Sequence, residues 1–82
     1  MIAIRHKAVG AADEYARASS VPVIDAATGY GDGAKHPTQG LIDLYTIKKE
    51  FGSIDGRTVI ISGDLTKRVM QSLAYGLAYY DT

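Results

Sequence analysis

His36-Pro37-Thr38-Gln39 is the stretch whose residue types and spacing best suit chemistry. If Pro37 opens a helix, His36 caps it and Gln39 follows three positions on. Both side chains then stand over one open helix end with its free backbone N–H groups. A histidine donor, an amide that donates and accepts, and the positive end of a helix dipole suit a small polar ligand with a carbonyl or a phosphate. The plainer reading is that His36 merely caps the helix and Gln39 is solvated. Lys67 and Arg68 form a second cluster, in the first turn of a later helix for which Thr66 is a reasonable cap. Cations there oppose the dipole at a cost of ~0.3–1 kcal/mol each, which a bound anion would reverse and which Asp64 could also offset. Arg5 raises a third such question, because it ends a short apolar segment read as a strand, and ligands of open parallel sheets collect beyond the strand carboxyl ends.

The elements that must position these groups follow from period and punctuation. Ile2 to Arg5, Val21 to Ile24 and Thr58 to Ser62 read as strands, the last an uninterrupted β-branched run of the kind buried on both faces. Ala11 to Ser20 is alanine-rich and helical in propensity. Pro37 to Phe51 sets Leu41, Leu44, Tyr45, Ile47 and Phe51 on one stripe, and Val69, Met70, Leu73, Leu77 and Tyr80 repeat that pattern. Gly10 precedes the first helix, Gly52 follows the second where a left-handed residue closes it, and Asp55-Gly56 turns the chain toward the third strand. The expected fold is α/β, with three strand-helix units and parallel strands. Gly29 to Gly33 (GYGDG) lacks the lysine and hydroxyl of a Walker loop and the spacing of a dinucleotide fingerprint, so turn geometry is its plainer role. Gly63-Asp64 is equally short of a Rossmann signature, and no nicotinamide or flavin cofactor is supported.

Eighty-two residues allow one small domain or part of a larger one, and 46% apolar against 22% charged residues is enough for a core. Nine basic and nine acidic side chains cancel, so no strong positive field draws a nucleic acid or an anionic membrane. The absence of cysteine removes disulfides, thiolate nucleophiles and cysteine-based metal sites. No apolar run approaches the ~20 residues that span a bilayer, and Arg5, His6 and Lys7 stand where a signal peptide would be apolar. The expectation is a soluble protein, cytoplasmic by default.

The string HPTQGLIDLYTI (His36 to Ile47), preceded by Arg5-His6 and by VPVIDA (Val21 to Ala26), and followed by GDL (Gly63 to Leu65) and R-x-x-x-S-L (Arg68 to Leu73), resembles the central part of an aspartate carbamoyltransferase catalytic chain. Thr38 and Leu44-Tyr45-Thr46-Ile47 look like the aspartate branch, since the ornithine branch usually carries cysteine at the position of Thr38. The family usually shows RHP where this chain has Arg5-His6-Lys7, and its stretch corresponding to Asp25–His36 is a few residues shorter.

The resemblance implies a transcarbamylase-like doubly wound α/β fold. Residues 1–51 would form the end of a carbamoyl-phosphate-binding domain including an interdomain helix at 37–51, and residues 52–82 the start of an aspartate-binding domain. It implies carbamoyl transfer from carbamoyl phosphate to the amino group of aspartate, in pyrimidine biosynthesis, with no metal or organic cofactor. Arg5 would contact carbamoyl phosphate, His36 and Gln39 would hold the carbamoyl carbonyl and amide, and Arg68 would bind an aspartate carboxylate. An attacking amine builds negative charge on the carbonyl oxygen, which His36 and Arg5 would stabilise as fixed donors, and phosphate needs no side-chain nucleophile to leave. The family's Ser-Thr-x-Arg-Thr segment, its lysine-bearing loop lent by a neighbouring subunit and its His-Pro-Leu-Pro segment lie outside these 82 residues. The site is therefore expected to be incomplete in this chain alone, with a homo-oligomer or a complementing chain as partner. The alternative is a catalytically silent transcarbamylase-derived fragment or assembly module with weak phosphate affinity.

Overall fold

A computed structural model describes all residues, 1–82. Its elements in order are β1 (Ile2–His6), α1 (Ala11–Ala18), β2 (Val23–Thr28), α2 (Pro37–Phe51) and α3 (Arg68–Leu77). β1 and β2 pair in parallel through Ile2 with Val23, Ala3 with Ile24, Ile4 with Asp25 and His6 with Thr28, with a register shift between Ile4 and His6. α1 makes the crossover between them, as parallel neighbours require. Its first turn carries Asp13 and Glu14 and its last turn Arg17, each sign complementing the helix dipole. Ala11 and Ala12 bury against Ile4 and Val23, the first of two small apolar clusters.

β2 starts two residues later than the β-branched run suggests and continues to Thr28. Pro22 has no N–H for the ladder, although its carbonyl accepts from Ile2 N–H at 2.9 Å. At the far end the Asp25 carboxylate accepts from Ala27 N–H at 3.0 Å and from the Thr28 hydroxyl at 2.8 Å, closing the irregular last turn of the strand. Ala27 there is fully buried at φ 122°, a sparsely populated conformation for a residue with a Cβ.

α2 runs over the expected residues, with Pro37 in its first turn and Gly52 closing it at φ 77°, its N–H donating to the Lys48 carbonyl. α3 crosses α2 closely. A Cβ on Gly40 would lie 3.0 Å from the Ser72 carbonyl oxygen, and one on Gly76 would lie 2.7 Å from a Leu44 methyl carbon. Around that crossing Leu44, Ile54 and Leu77 form the second cluster, with Ile47, Val59, Ile61 and Leu73 packed on it.

Four expectations are corrected. Thr58–Ser62 forms no ladder: the sheet holds only β1 and β2. Val59 and Ile61 reach the second cluster while Ile60 is 86% exposed, so the run alternates and is buried on one face only. β-branching prepares a strand, but a ladder needs a neighbour, and the segment lies against the helices. The first helix stops at Ala18, and the last spans Arg68–Leu77 without reaching Tyr80. Thr66 does not cap α3, whose cap is Lys67 without a side-chain bond. Asp64 captures Thr66 instead, accepting from both its N–H and its hydroxyl. The α/β class with parallel strands holds. No helix is long and apolar enough to cross a membrane.

Candidate functional site

β1 and β2 end side by side, and the chain leaves both at one edge. His6 accepts from Gly29 N–H at 3.0 Å through its carbonyl, and its ring nitrogen Nδ1 accepts from Ala8 N–H at 2.9 Å, which shapes the exit from β1. On the other side of β2, Thr28 and Lys35 exchange two backbone hydrogen bonds of 2.9 and 2.8 Å, an isolated antiparallel bridge. That bridge brings the chain from the glycine loop back to the sheet and delivers His36 and the N-terminus of α2. The order across this edge is therefore β1, β2, then Lys35. Arg5 and His36 flank the tip of β2 with backbones about two strand spacings, roughly 10 Å, apart.

His36 sits at the cap of α2 with φ −142° and no side-chain cap bond. Its N–H donates to Ser72 Oγ of α3 at 2.9 Å, which pins the cap to the neighbouring helix. Its ring Nδ1 lies 3.3 Å from Thr38 Oγ1. When the hydroxyl donates there, the proton of the neutral ring resides on Nε2, which then serves as a donor for a ligand. The first turn of α2 carries no acidic residue, so the positive end of the dipole is uncompensated. Gln39 is turned along the helix rather than over its end. Its Nε2 donates to Asp43 Oδ1 at 3.0 Å, an anionic acceptor one turn on, and its Oε1 stays available as an acceptor.

Arg5 is exposed and forms no ion pair. Ile4 beside it packs against α1, so by strand alternation Arg5 stands on the opposite face. Arg68 has travelled furthest in sequence. From the first turn of α3 its Nη1 donates to the Gly29 carbonyl, and its guanidinium carbon lies 4.9 Å from the centroid of the Tyr30 ring. Lys67 pairs with Asp64 at 3.7 Å in an exposed contact. The Asp64 carboxyl is held below its ordinary pKa, first by the Thr66 hydroxyl, then by the Thr66 N–H, with Lys67 adding to the effect.

His36 and Gln39 thus share one helix end, Arg5 stands across β2 from them, and Arg68 joins the loop that leads into His36. The glycines of that loop, Gly29, Gly31 and Gly33, all have φ between 70° and 79°, as turn geometry requires. Two participants were not read from the sequence. Ser72 is the serine of the R-x-x-x-S-L string, but nothing in that string points to the amide it holds 36 positions away. Tyr30 lies in a loop whose glycines drew attention, and only the fold brings it to Arg68.

A family described as aspartate/ornithine carbamoyltransferase, carbamoyl-P binding domain, matches residues 1–49. The aspartate carbamoyltransferase catalytic subunit of Thermococcus kodakarensis is 53% identical over 83 residues, covering 99% of this chain and 26% of that protein. Its counterpart from Archaeoglobus fulgidus is 55% identical over 82 residues, with 98% and 26% covered. Among solved structures, the crystal structure of aspartate transcarbamoylase from Trypanosoma cruzi in complex with phosphate is similar at a TM-score of 0.82 and 36% identity, over 96% of this chain and 26% of that one. The chain spans about 26% of the length of these relatives.

Proposed function

The chain belongs to the aspartate/ornithine carbamoyltransferase family through its carbamoyl-phosphate-binding domain, and from that premise we propose that it serves carbamoyl transfer from carbamoyl phosphate to the amino group of aspartate. The curated relatives named above are aspartate carbamoyltransferases, which favours aspartate over ornithine. In this reading His36 Nε2 and Arg5 donate to the carbamoyl oxygen from either side of the β2 tip, where negative charge grows as the amine attacks. Gln39 Oε1 accepts from the carbamoyl NH2, and the uncompensated N-terminus of α2 favours the departing phosphate. Arg68 grips a carboxylate of aspartate with the planar fork that a lysine lacks.

The observation that carries this reading is the cap of α2. His36 is fixed by Ser72 and oriented beside Thr38 at the edge where both strands end. The proposal includes a division near Phe51, with residues 1–51 serving carbamoyl phosphate and 52–82 beginning the part that serves aspartate. Leu44 and Ile47 of α2 pack with Ile54 and Leu77 across that boundary, as a helix that connects the two parts would. It includes a cytoplasmic setting and completion of the site by further chain, from a second copy or a complementing partner. The second reading, a silent scaffold with weak phosphate affinity, draws on Gln39 being engaged by Asp43.

Grafting these 82 residues into the corresponding stretch of the Thermococcus kodakarensis catalytic subunit separates the two. A folded graft should form carbamoyl-aspartate, and His36→Ala within it should lower turnover by about 10²–10³-fold, as for loss of one oxyanion donor. A folded graft that forms no product would leave the scaffold reading.

A further inference from the structure

Resting on the reading of Arg68 as a carboxylate ligand, we propose that Tyr30 is the positioning residue that sets this arginine for its substrate. The Arg68 guanidinium meets the Gly29–Tyr30 loop in two ways at once. The Tyr30 ring faces it at 4.9 Å, which fixes the plane of the group, and the Gly29 carbonyl accepts from Nη1, which fixes its rotation within that plane. Gly29 is itself anchored. It is buried, its N–H is held by the His6 carbonyl at 3.0 Å, and a Cβ in its place would stand 2.5 Å from a Val9 methyl carbon. The loop is therefore fixed to the end of β1 and carries that fixity to an arginine 39 positions away.

One guanidinium N–H is taken by Gly29, and the Nε–Nη2 edge keeps the paired donors that match a carboxylate. The charge is also uncommitted. Asp64 pairs with Lys67, Asp13 pairs with Lys35, and no carboxylate pairs with Arg68. Tyr30, Lys67 and Arg68 line one cleft of about 480 Å³. The chemistry that fits is a small dicarboxylate or amino-dicarboxylate, held at one end by Arg68. Tyr30 is 70% exposed, so replacing it does not disturb the core.

The test is NMR of the full chain with succinate as the probe. In the native chain the Arg68 side-chain protons should be shifted upfield by the ring above them. Tyr30→Phe should keep that shift, and Tyr30→Ala should abolish it and weaken succinate binding by about two- to thirty-fold, the span of a cation–π contact from exposed to desolvated. Arg68 resonances identical in the native chain and Tyr30→Ala would overturn the positioning role. Arg68 resonances that respond to Tyr30→Ala, in a native chain that succinate leaves unchanged at millimolar concentration, would instead overturn the carboxylate reading of Arg68.

Discussion

Replacing Ser72 by alanine removes the one side-chain acceptor that holds the His36 amide, at 2.9 Å across the junction of α2 and α3. The net value of such a hydrogen bond is about 0.5–1.5 kcal/mol, and the partly buried position of His36 keeps it out of the costlier fully buried range. Alanine in mid-helix returns roughly 0.5 kcal/mol of propensity. Global stability should therefore fall by no more than about 1 kcal/mol, or ~4–8 °C in Tm for a domain this small. The local effect is larger than the global one, because the propensity gain does nothing for the amide. Its opening becomes easier by the full 0.5–1.5 kcal/mol, which is about two- to twelvefold in exchange rate. Amide hydrogen exchange resolved by NMR reads this directly. Exchange that speeds up more at His36 than at any α1 or β1 amide is the expected result. Unchanged exchange at His36 in a folded Ser72→Ala chain would refute the claim that α3 fixes the cap.

Further outcomes follow from the packing and the charges. Leu44→Ala should cost about 2–5 kcal/mol, because Leu44 joins Ile54 and Leu77 in one of only two small clusters; a thermal melt should show the chain unfolded or nearly so at 25 °C. Thr66→Ala should raise the Asp64 pKa toward its ordinary value, since the Thr66 hydroxyl is the largest cause of its lowering, and carbon-detected NMR titration of the carboxyl checks it. The folded pKa is the depressed one, so Asp64 contributes stability above the ordinary carboxylate value of about 3.9 and loses it as pH falls through the lower, folded value. Ile60→Asp should change stability by less than about 0.5 kcal/mol in urea unfolding, because the side chain is 86% exposed.

The legible parts of the fold are those where backbone chemistry marks the boundary. Proline in the first turn and a left-handed glycine after the last fix α2 at both ends, and these signals do not depend on what packs nearby. The end of β2 is illegible because Asp25, Ala26 and Ala27 are poor strand formers by composition. Asp25 and Thr28 pair with β1, and the Asp25 carboxylate ties the irregular turn between them together. Thr58–Ser62 shows the reverse failure, with strong β-branching and no ladder partner. Thr66 failed as a cap because an aspartate two residues earlier competes for the same hydroxyl and N–H. In the candidate site, His36 and Gln39 were readable because a helix end gathers neighbours in sequence. The Ser72 and Tyr30 contacts span 36 and 38 positions and are created by tertiary approach, for which the sequence carries no local signal.

The central claim is that Arg5, His36 and Gln39 serve a single small ligand around the tip of β2. Calorimetric titration of carbamoyl phosphate into the native chain, Arg5→Ala, His36→Ala and the double variant tests it most directly. One site, weakened by each single change and no further by the pair than their coupling allows, is the predicted result. Heat that is absent at millimolar ligand, or present and indifferent to both substitutions, would contradict it.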